Sequence, residues 1–257
     1  MCAAQVPHLN QLQRTFEKQG LTVVGVTGES VEDTEPWIEQ HKAEFAYGYS
    51  PGLLAFFGVT SLPYAVLVNS QGTIVWKGHP AALGEDWIKI AVRGSIQEPL
   101  YAWPPAAAAA KEALVRRRYA PALQAAKDLD PRYAKMIKRR MAHLVGSMER
   151  ATKRKDYLLA KELALRVFRQ CEGLPQQETA RERLRELKAS PEISRLIEAQ
   201  LQLRNLVQRA ERTRERAAAQ KLLQEIKRLM LQHPKDVVGQ HARREALVLE
   251  DLIKSMP

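Results

Sequence analysis

The sequence predicts two domains, an α/β domain followed by an all-helical domain. Residues 1–103 hold 6 Lys and Arg against 10 Asp and Glu, whereas residues 104–257 hold 34 against 19. The net charges of the two segments are therefore −4 and +15. Aromatic residues are distributed the other way, 12 before residue 104 and 4 after it, and so are the glycines, 10 and 3. Such a difference in composition is typical of separate domains.

The composition of the 257 residues excludes several classes of protein. Hydrophobic residues make up 45% and charged residues 27%, as in a folded globular protein rather than a disordered chain. No run of about 18 apolar residues occurs, as a membrane-spanning helix needs. Two cysteines are too few for a disulfide-stapled scaffold or a four-cysteine zinc site. The six histidines lack metal-ligand spacing and no phosphate-binding loop is visible, so neither a metal nor another cofactor is predicted.

Helical and extended patterns alternate from the start of the chain. A helix is predicted over residues 3–19, because apolar residues recur every three or four positions and Gly20 can end it. Residues 21–26 form a short apolar, β-branched run, the pattern of a buried parallel strand. Residues 34–45 return to helical spacing.

The rest of the first half predicts a hairpin and a helix. Residues 53–57 predict a helical turn. Two strands are predicted over residues 64–69 and 73–77, joined by a turn that contains Gly72. A last helix over residues 84–96 completes an α/β alternation.

Pro104-Pro105 and the five alanines that follow mark the predicted domain boundary. The predicted domains are residues 1–99 and 106–257, with residues 100–105 as the linker. From there to the C-terminus, apolar residues step by three and four between proline-containing breaks, which predicts about seven antiparallel helices. Within the first of them, Pro121 should kink or split the helix.

A repeat is one interpretation of the helical half. Tyr119 and Tyr157 each begin a Tyr-x-x-Ala sequence, 38 residues apart, with a fainter third copy at Ala218. A degenerate, tetratricopeptide-like array of helical hairpins would give this pattern. An unrelated helical bundle is the alternative, and the sequence leaves both open.

Four segments of residues 1–97 together resemble the TlpA-type thioredoxin-fold family. They are CAAQVPHLNQL at 2–12, GLTVVGV at 20–26, FGVTSLPY at 57–64 and LVNSQGTIV at 67–75. In that family a strand leads into Trp-Cys-x-x-Cys, and Cys2 matches the second, resolving cysteine. Pro63 matches the family's cis-proline, where the peptide bond to Leu62 helps to orient an extended substrate chain.

The resemblance implies a thioredoxin-like domain whose first strand is missing from this chain. It implies a thiol–disulfide oxidoreductase that acts on protein thiols and disulfides, in the periplasm or exported. No signal peptide is visible, and Met1 is not expected to be the natural start. The nucleophilic cysteine that would precede Cys2 is absent, so Cys2 could form a mixed disulfide but could not resolve it with a neighbouring thiol. A redox-inactive scaffold that keeps the fold for binding is therefore the alternative, and enzyme activity is left open.

The sequence supports two further predictions about cysteine chemistry. Cys171 lies in step with the apolar face of its helix, so a buried, inert thiol is predicted. No Pro-x-x-x-Thr-x-x-Cys segment occurs, which disfavours the peroxidase chemistry of peroxiredoxins.

The excess of basic residues in the helical half is compatible with nucleic-acid binding. However, acids are interleaved with the bases along most of the helices, so a solvated face is favoured over nucleic-acid binding. An acidic protein is the predicted partner of the helical domain, because an excess of 15 positive charges would attract one.

Overall fold

The structure, a computed structural model, describes residues 2–50, 52–53, 57–59, 61–213 and 215–255. It divides the chain into two compact units, Met1–His143 and Leu144–Pro257.

Strands and helices alternate in the first unit before a run of helices. In order they are α1 (Val6–Phe16), β1 (Val24–Thr27), α2 (Val31–His41), β2 (Ala46–Tyr49), β3 (Ala65–Val68), β4 (Ile74–Gly78), α3 (Glu85–Ala91), α4 (Ala108–Val115) and α5 (Tyr119–Ala125). The next helix, α6 (Pro131–Lys153), begins in this unit. The described strands form two sheets of two strands, β1 parallel to β2 and β3 antiparallel to β4. The predicted parallel strand and the hairpin are both confirmed.

Side-chain caps explain where the elements begin and turn. The Ser30 hydroxyl accepts a hydrogen bond from the Asp33 backbone N–H at 3.2 Å, so α2 begins three residues before the predicted position. The Asn69 carboxamide oxygen accepts from the backbone N–H groups of Gln71 and Thr73, at 2.9 and 3.0 Å, and closes the hairpin turn. Gly72 supplies the left-handed backbone conformation of that turn, with φ of +79°.

The core of the first unit lies where α1 and α3 meet the β3–β4 hairpin. Its buried side chains are Leu12, Phe16, Leu67, Leu83, Ile88 and Ala91. Helix α1 supplies two of them and α3 supplies two more. The apolar periodicity of residues 3–19 therefore identified the helix face that is buried here.

The predicted burial of the first strand is wrong. Val24 and Val26 of β1 are 50% and 38% exposed, although their sequence is that of an interior strand. Among the described residues β1 pairs with β2 only, and its two valines lack the cover on the sheet face that buries an interior parallel strand. Of the helical turn predicted over residues 53–57, residues 54–56 lie outside the described residues.

Residues 100–105, the predicted linker, include a buried aromatic side chain. Trp103 is buried, its ring centroid lies 4.6 Å from that of Tyr133, and its indole N–H donates to the Glu98 carbonyl at 3.2 Å. The segment therefore contributes a core side chain to the first unit. The contacts divide the chain after His143, later than the change in composition, because α4, α5 and the start of α6 belong to the first unit.

Further helices build the second unit, where α6 ends. They are α7 (Tyr157–Gln170), α8 (Pro175–Ala189), α9 (Pro191–Arg212), α10 (Arg216–Gln232) and α11 (Val237–Ser255). Helix α9 packs against α7, α8, α10 and α11. With α4 to α6, eight α-helices follow Pro105 in the described part of the chain, where about seven were predicted.

Three of the predicted proline breaks, at Pro131, Pro175 and Pro191, lie at helix starts. Pro175 and Pro191 begin α8 and α9, and Pro121 lies in the first turn of α5, where its missing N–H costs little. Tyr119 and Tyr157 both begin helices, and Ala122 and Ala160 behind them are fully buried. The repeated array and the plain bundle both remain compatible with this arrangement.

The connection between α10 and α11 closes tightly on the first turn of α11. The Asp236 carboxylate accepts from the backbone N–H groups of Val238 and Gly239, at 2.8 and 3.2 Å, and its other oxygen lies 2.7 Å from His233 Nδ1. A Cβ on Gly239 would lie 1.7 Å from the His233 carbonyl oxygen. Only glycine fits without moving this backbone.

We expect Gly239→Ala to lower the free energy of unfolding by about 1–3 kcal/mol, because the backbone of the connection must shift to admit the methyl group. Urea unfolding of the full chain measures the change. Gly146→Ala is the matched control: its Cβ would meet only the flexible end of Arg150, at 3.1 Å. It should be neutral or stabilising by up to about 1 kcal/mol. Equal effects of the two substitutions would contradict the described packing.

Candidate functional site

Cys2 lies at the start of the first helical segment. It precedes a single 3₁₀ turn, Ala3–Gln5, which leads directly into α1, and its carbonyl accepts from the Gln5 N–H at 3.0 Å. The thiol is free and exposed. A sulfur that could act as a nucleophile therefore faces solvent beside the N-terminus of a helix.

A buried amide fixes α1 against the α2–β2 connection. The Asn10 carboxamide N–H donates to the Lys42 carbonyl at 2.8 Å, and its oxygen accepts from the Glu44 N–H at 3.0 Å. Lys42 has a φ of +53°, so the chain turns sharply there after α2. The clamp holds the helix that begins beside Cys2 against the chain that leads into β2.

Tyr47 of β2 lies within electrostatic range of Cys2. Its ring covers Gly25 of β1, where a Cβ would lie 2.6 Å from the Tyr47 ring. It stacks on Phe45 with centroids 5.4 Å apart and meets Trp37 edge-on at 6.2 Å. Gly25 is thus the small residue that lets an aromatic side chain lie flat on the sheet.

The environment of Tyr47 keeps its phenol protonated. Burial raises the pKa of Tyr47 to about 12, and the negative charges of Cys2 and Tyr49 act in the same direction. A phenol that stays protonated over the neutral pH range can donate a hydrogen bond to an anion. Sequence reasoning missed this residue. The signal that could have found it is the alternation of aromatic and small residues from Phe45 to Tyr49.

The predicted substrate-binding residues lie just before β3. The Leu62–Pro63 peptide bond is cis, Leu62 is 55% exposed, and Pro63 is half-buried. No hydrogen bond in the described part of the chain joins Cys2 to either residue. Their roles, like that of Cys2, stay predictions.

The second cysteine belongs to the other unit. Cys171 follows the last residue of α7 and is fully buried, which confirms its predicted burial. Burial raises the pKa of its thiol to about 11, so it remains protonated near neutral pH. The two cysteines are 169 positions apart in sequence and do not form a dithiol motif.

Other chemical groups are sparse around the candidate site. The described residues include no cluster of three or more His, Cys, Asp or Glu that could hold a metal ion. None of their helices combines the length and apolar character that crossing a membrane requires. One polar atom of α1 is notable: His8 Nε2 is buried and has no hydrogen-bond partner among the described residues.

Comparison with known proteins identifies the N-terminal segment. Residues 1–77 match the AhpC/TSA family. The thiol-disulfide oxidoreductase ResA of Halalkalibacterium halodurans is 25% identical over 91 residues, which are 34% of this chain and 51% of that protein. The chain thus spans about half the length of the curated relative that it matches. No solved structure matches the chain significantly.

These matches place a domain of the redoxin class at the N-terminus, followed by a predominantly helical region. The family match includes the positions of Cys2, Asn10, Gly25, Tyr47 and Pro63. The TlpA subtype and the helical repeat are finer assignments than either match makes.

We expect Asn10→Ala to lower the free energy of unfolding by about 1–3 kcal/mol, because it leaves a backbone carbonyl and a backbone N–H without partners. Arg14→Ala is the control on the same helix. Its ion pair with Glu44, at 3.2 Å, is well exposed and should contribute less than about 1 kcal/mol. Chemical denaturation of both variants measures the difference, and a larger loss for Arg14→Ala would contradict the assigned role of the amide.

Proposed function

We propose that the N-terminal domain is a TlpA-type thiol–disulfide exchange module, with Cys2 at the resolving position. The observation that supports it is the exposed Cys2 thiol at the head of α1, inside the segment that matches the AhpC/TSA family. Protein thiols and disulfides are the proposed substrates. The name of the relative, a thiol-disulfide oxidoreductase, agrees with this chemistry.

The exchange step needs one thiolate and one disulfide. The Cys2 thiolate attacks one sulfur of a substrate disulfide, a new S–S bond forms to Cys2, and the other sulfur leaves as a thiolate that takes a proton from water. The substrate disulfide is thereby converted into a mixed disulfide and a free thiol. A second thiol then attacks the mixed disulfide and releases Cys2 in the reverse manner.

Tyr47, Leu62 and Pro63 have supporting roles in this proposal. Tyr47, which lies within electrostatic range of Cys2, serves as a hydrogen-bond donor to a sulfur anion formed during the exchange. Leu62 and Pro63 present backbone groups to an extended substrate chain just before β3. The exposure of Leu62 and the protonated state of Tyr47 agree with these roles.

The alternative is a redox-inactive binding protein that keeps the fold as a scaffold. It is favoured by the residues that follow Cys2, because no other cysteine occurs up to the end of the first unit at His143. One experiment separates the two functions, because a scaffold has no need of an accelerated thiol.

The test follows the full chain with an aromatic disulfide such as Ellman's reagent at pH 8. We expect one thiol to react rapidly and Cys2→Ser to abolish this phase, whereas the matched variant Cys171→Ser leaves it unchanged. A thiol with a pKa of about 11 is only about one part in a thousand thiolate at that pH, so Cys171 should react at least about 100-fold more slowly.

The rate distinguishes exchange from scaffold. Measured again at pH 6, where a thiol of ordinary pKa is less than about 1% thiolate, Cys2 should react at least about tenfold faster than free glutathione, and Tyr47→Phe should lower that rate several-fold. A Cys2 rate no greater than that of glutathione would reject the exchange module in favour of the scaffold.

We also propose that the helical region, residues 106–257, binds an acidic protein. The exposed side of α6 supports this, because Lys135, Lys138 and Arg139 make no ion pair in the described part of the chain. Tyr133 beside them is buried and offers no surface for stacking bases. The partner would be brought close to the thiol of the N-terminal domain.

Binding of the full chain to poly-L-glutamate and to duplex DNA tests this proposal at low and raised salt. The triple variant K135E/K138E/R139E should weaken poly-L-glutamate binding at least about tenfold. The control R181E/R185E reverses two cations that already contact Glu178, and it should have a smaller effect. Tighter binding to DNA than to poly-L-glutamate would support the nucleic-acid interpretation instead.

A further inference from the structure

Helix α11 exposes apolar side chains on its outer surface. Among the described residues of the second unit, the exposed large apolar side chains are Leu159, Leu201, Leu231, Leu247, Val248 and Leu252. The last three belong to α11. Leu247 and Val248 are 59% and 61% exposed. They are adjacent in sequence and lie near the middle of the helix.

The opposite side of α11 forms the core of the unit. Its buried residues are Val238, Ala242, Ala246, Leu249 and Ile253. At 100° per residue, Arg244, Leu247, Val248 and Asp251 all point away from that row. All four side chains are exposed. We name these four residues the outer face of α11.

The charges of the outer face have opposite signs on either side of the apolar pair. Arg244 lies about one turn before the pair and makes no ion pair with any described residue. Asp251 lies about one turn after it and contacts Lys254 at 2.9 Å, in a pair whose side chains are 75% and 78% exposed. So exposed an ion pair contributes little to stability and can exchange partners.

We propose that the outer face of α11 binds the same face of a second copy of this chain. If two α11 helices pack antiparallel about a twofold axis between residues 247 and 248, Leu247 meets the second copy's Val248. Arg244 then lies opposite the second copy's Asp251, and the symmetry makes this ion pair twice. A twofold interface requires a surface that is complementary to itself, and this sequence has that property.

Charge complementarity selects the second copy over another partner. A purely basic or purely acidic face would indicate an oppositely charged protein, but here both signs lie on one helix in mirrored order. With two aliphatic side chains from each helix the contact is small, so association is weak and reversible. The surface lies in the second unit and involves neither Cys2 nor the basic side of α6, so its test is independent of the proposed function.

Sedimentation velocity of the full chain, in the presence of a thiol reductant, measures the association. The reductant excludes dimers linked through Cys2. We expect the average mass to rise from 29.1 kDa toward twice that value as the concentration increases from about 5 to 500 µM. Leu247→Glu should abolish the rise, while Leu159→Glu, an exposed leucine on α7, should leave it unchanged. Circular dichroism checks that both variants are folded.

Charge reversal tests the antiparallel register itself. Arg244→Asp and Asp251→Arg should each weaken dimerisation at least about tenfold, because each places like charges opposite one another. The double variant R244D/D251R should dimerise like the wild type. A mixture of the two single variants should form a heterodimer. In it the introduced aspartate of one chain faces the introduced arginine of the other, and the unchanged Asp251 and Arg244 face each other as well.

Three results would overturn the proposal. They are a chain that stays monomeric up to about 500 µM, single charge reversals that dimerise normally, and a mixture of the single variants that does not associate. The last result would exclude the antiparallel register even if the wild type forms a dimer by another surface.

Discussion

Helix α1 is the element on which the first unit depends, because the two described sheets share no strand. Leu12 and Phe16 attach the helix to the β3–β4 hairpin and α3 through the apolar core. Asn10, on another side of the same helix, attaches it to the connection before β2 through two hydrogen bonds. One helix therefore joins the two sheets by apolar burial on one side and by a polar clamp on another. The same helix positions the candidate site. Cys2 precedes the 3₁₀ turn that leads into α1, and Tyr47 lies on β2, which follows the clamped connection.

A similar clamp recurs in the second unit. The buried Gln200 of α9 accepts from the Leu158 N–H at 2.7 Å and donates to the Lys155 carbonyl at 3.0 Å. In both units a side-chain amide satisfies one backbone donor and one acceptor in a connection, where helix hydrogen bonds end. An amide is suited to this task because it carries both functions without charge. Such amide residues hold the connections in place, whereas the apolar residues spaced three or four positions apart determine which faces of the helices are buried.

The sequence predicted the helices and turns better than it predicted the burial of the strand β1. Local spacing was sufficient for the hairpin closed by Asn69, for the helices begun by Pro175 and Pro191, and for the burial of Cys171, because each depends on neighbours within a few turns. The exposure of Val24 and Val26 was not predictable in this way. It depends on which elements cover the faces of the sheet at β1, and no local pattern reports that.

Some residues of the candidate site could be found from the sequence, and others only from the tertiary structure. Cys2, Leu62 and Pro63 could be selected as candidate site residues because they lie in short sequence motifs that resemble a known family. The family match over residues 1–77 covers all three. Tyr47 could not, since its position relative to Cys2 depends on the parallel pairing of β1 with β2 and on the space above Gly25. Likewise, composition placed a boundary at Pro104-Pro105, but the burial of Trp103 against Tyr133 placed the first helices in the N-terminal unit. The sequence by itself determined the periodic elements, the turns and the redoxin-class motifs, because these arise from short-range chemistry. Only the tertiary structure decided which side chains meet, because contacts between distant residues depend on packing that no local segment contains.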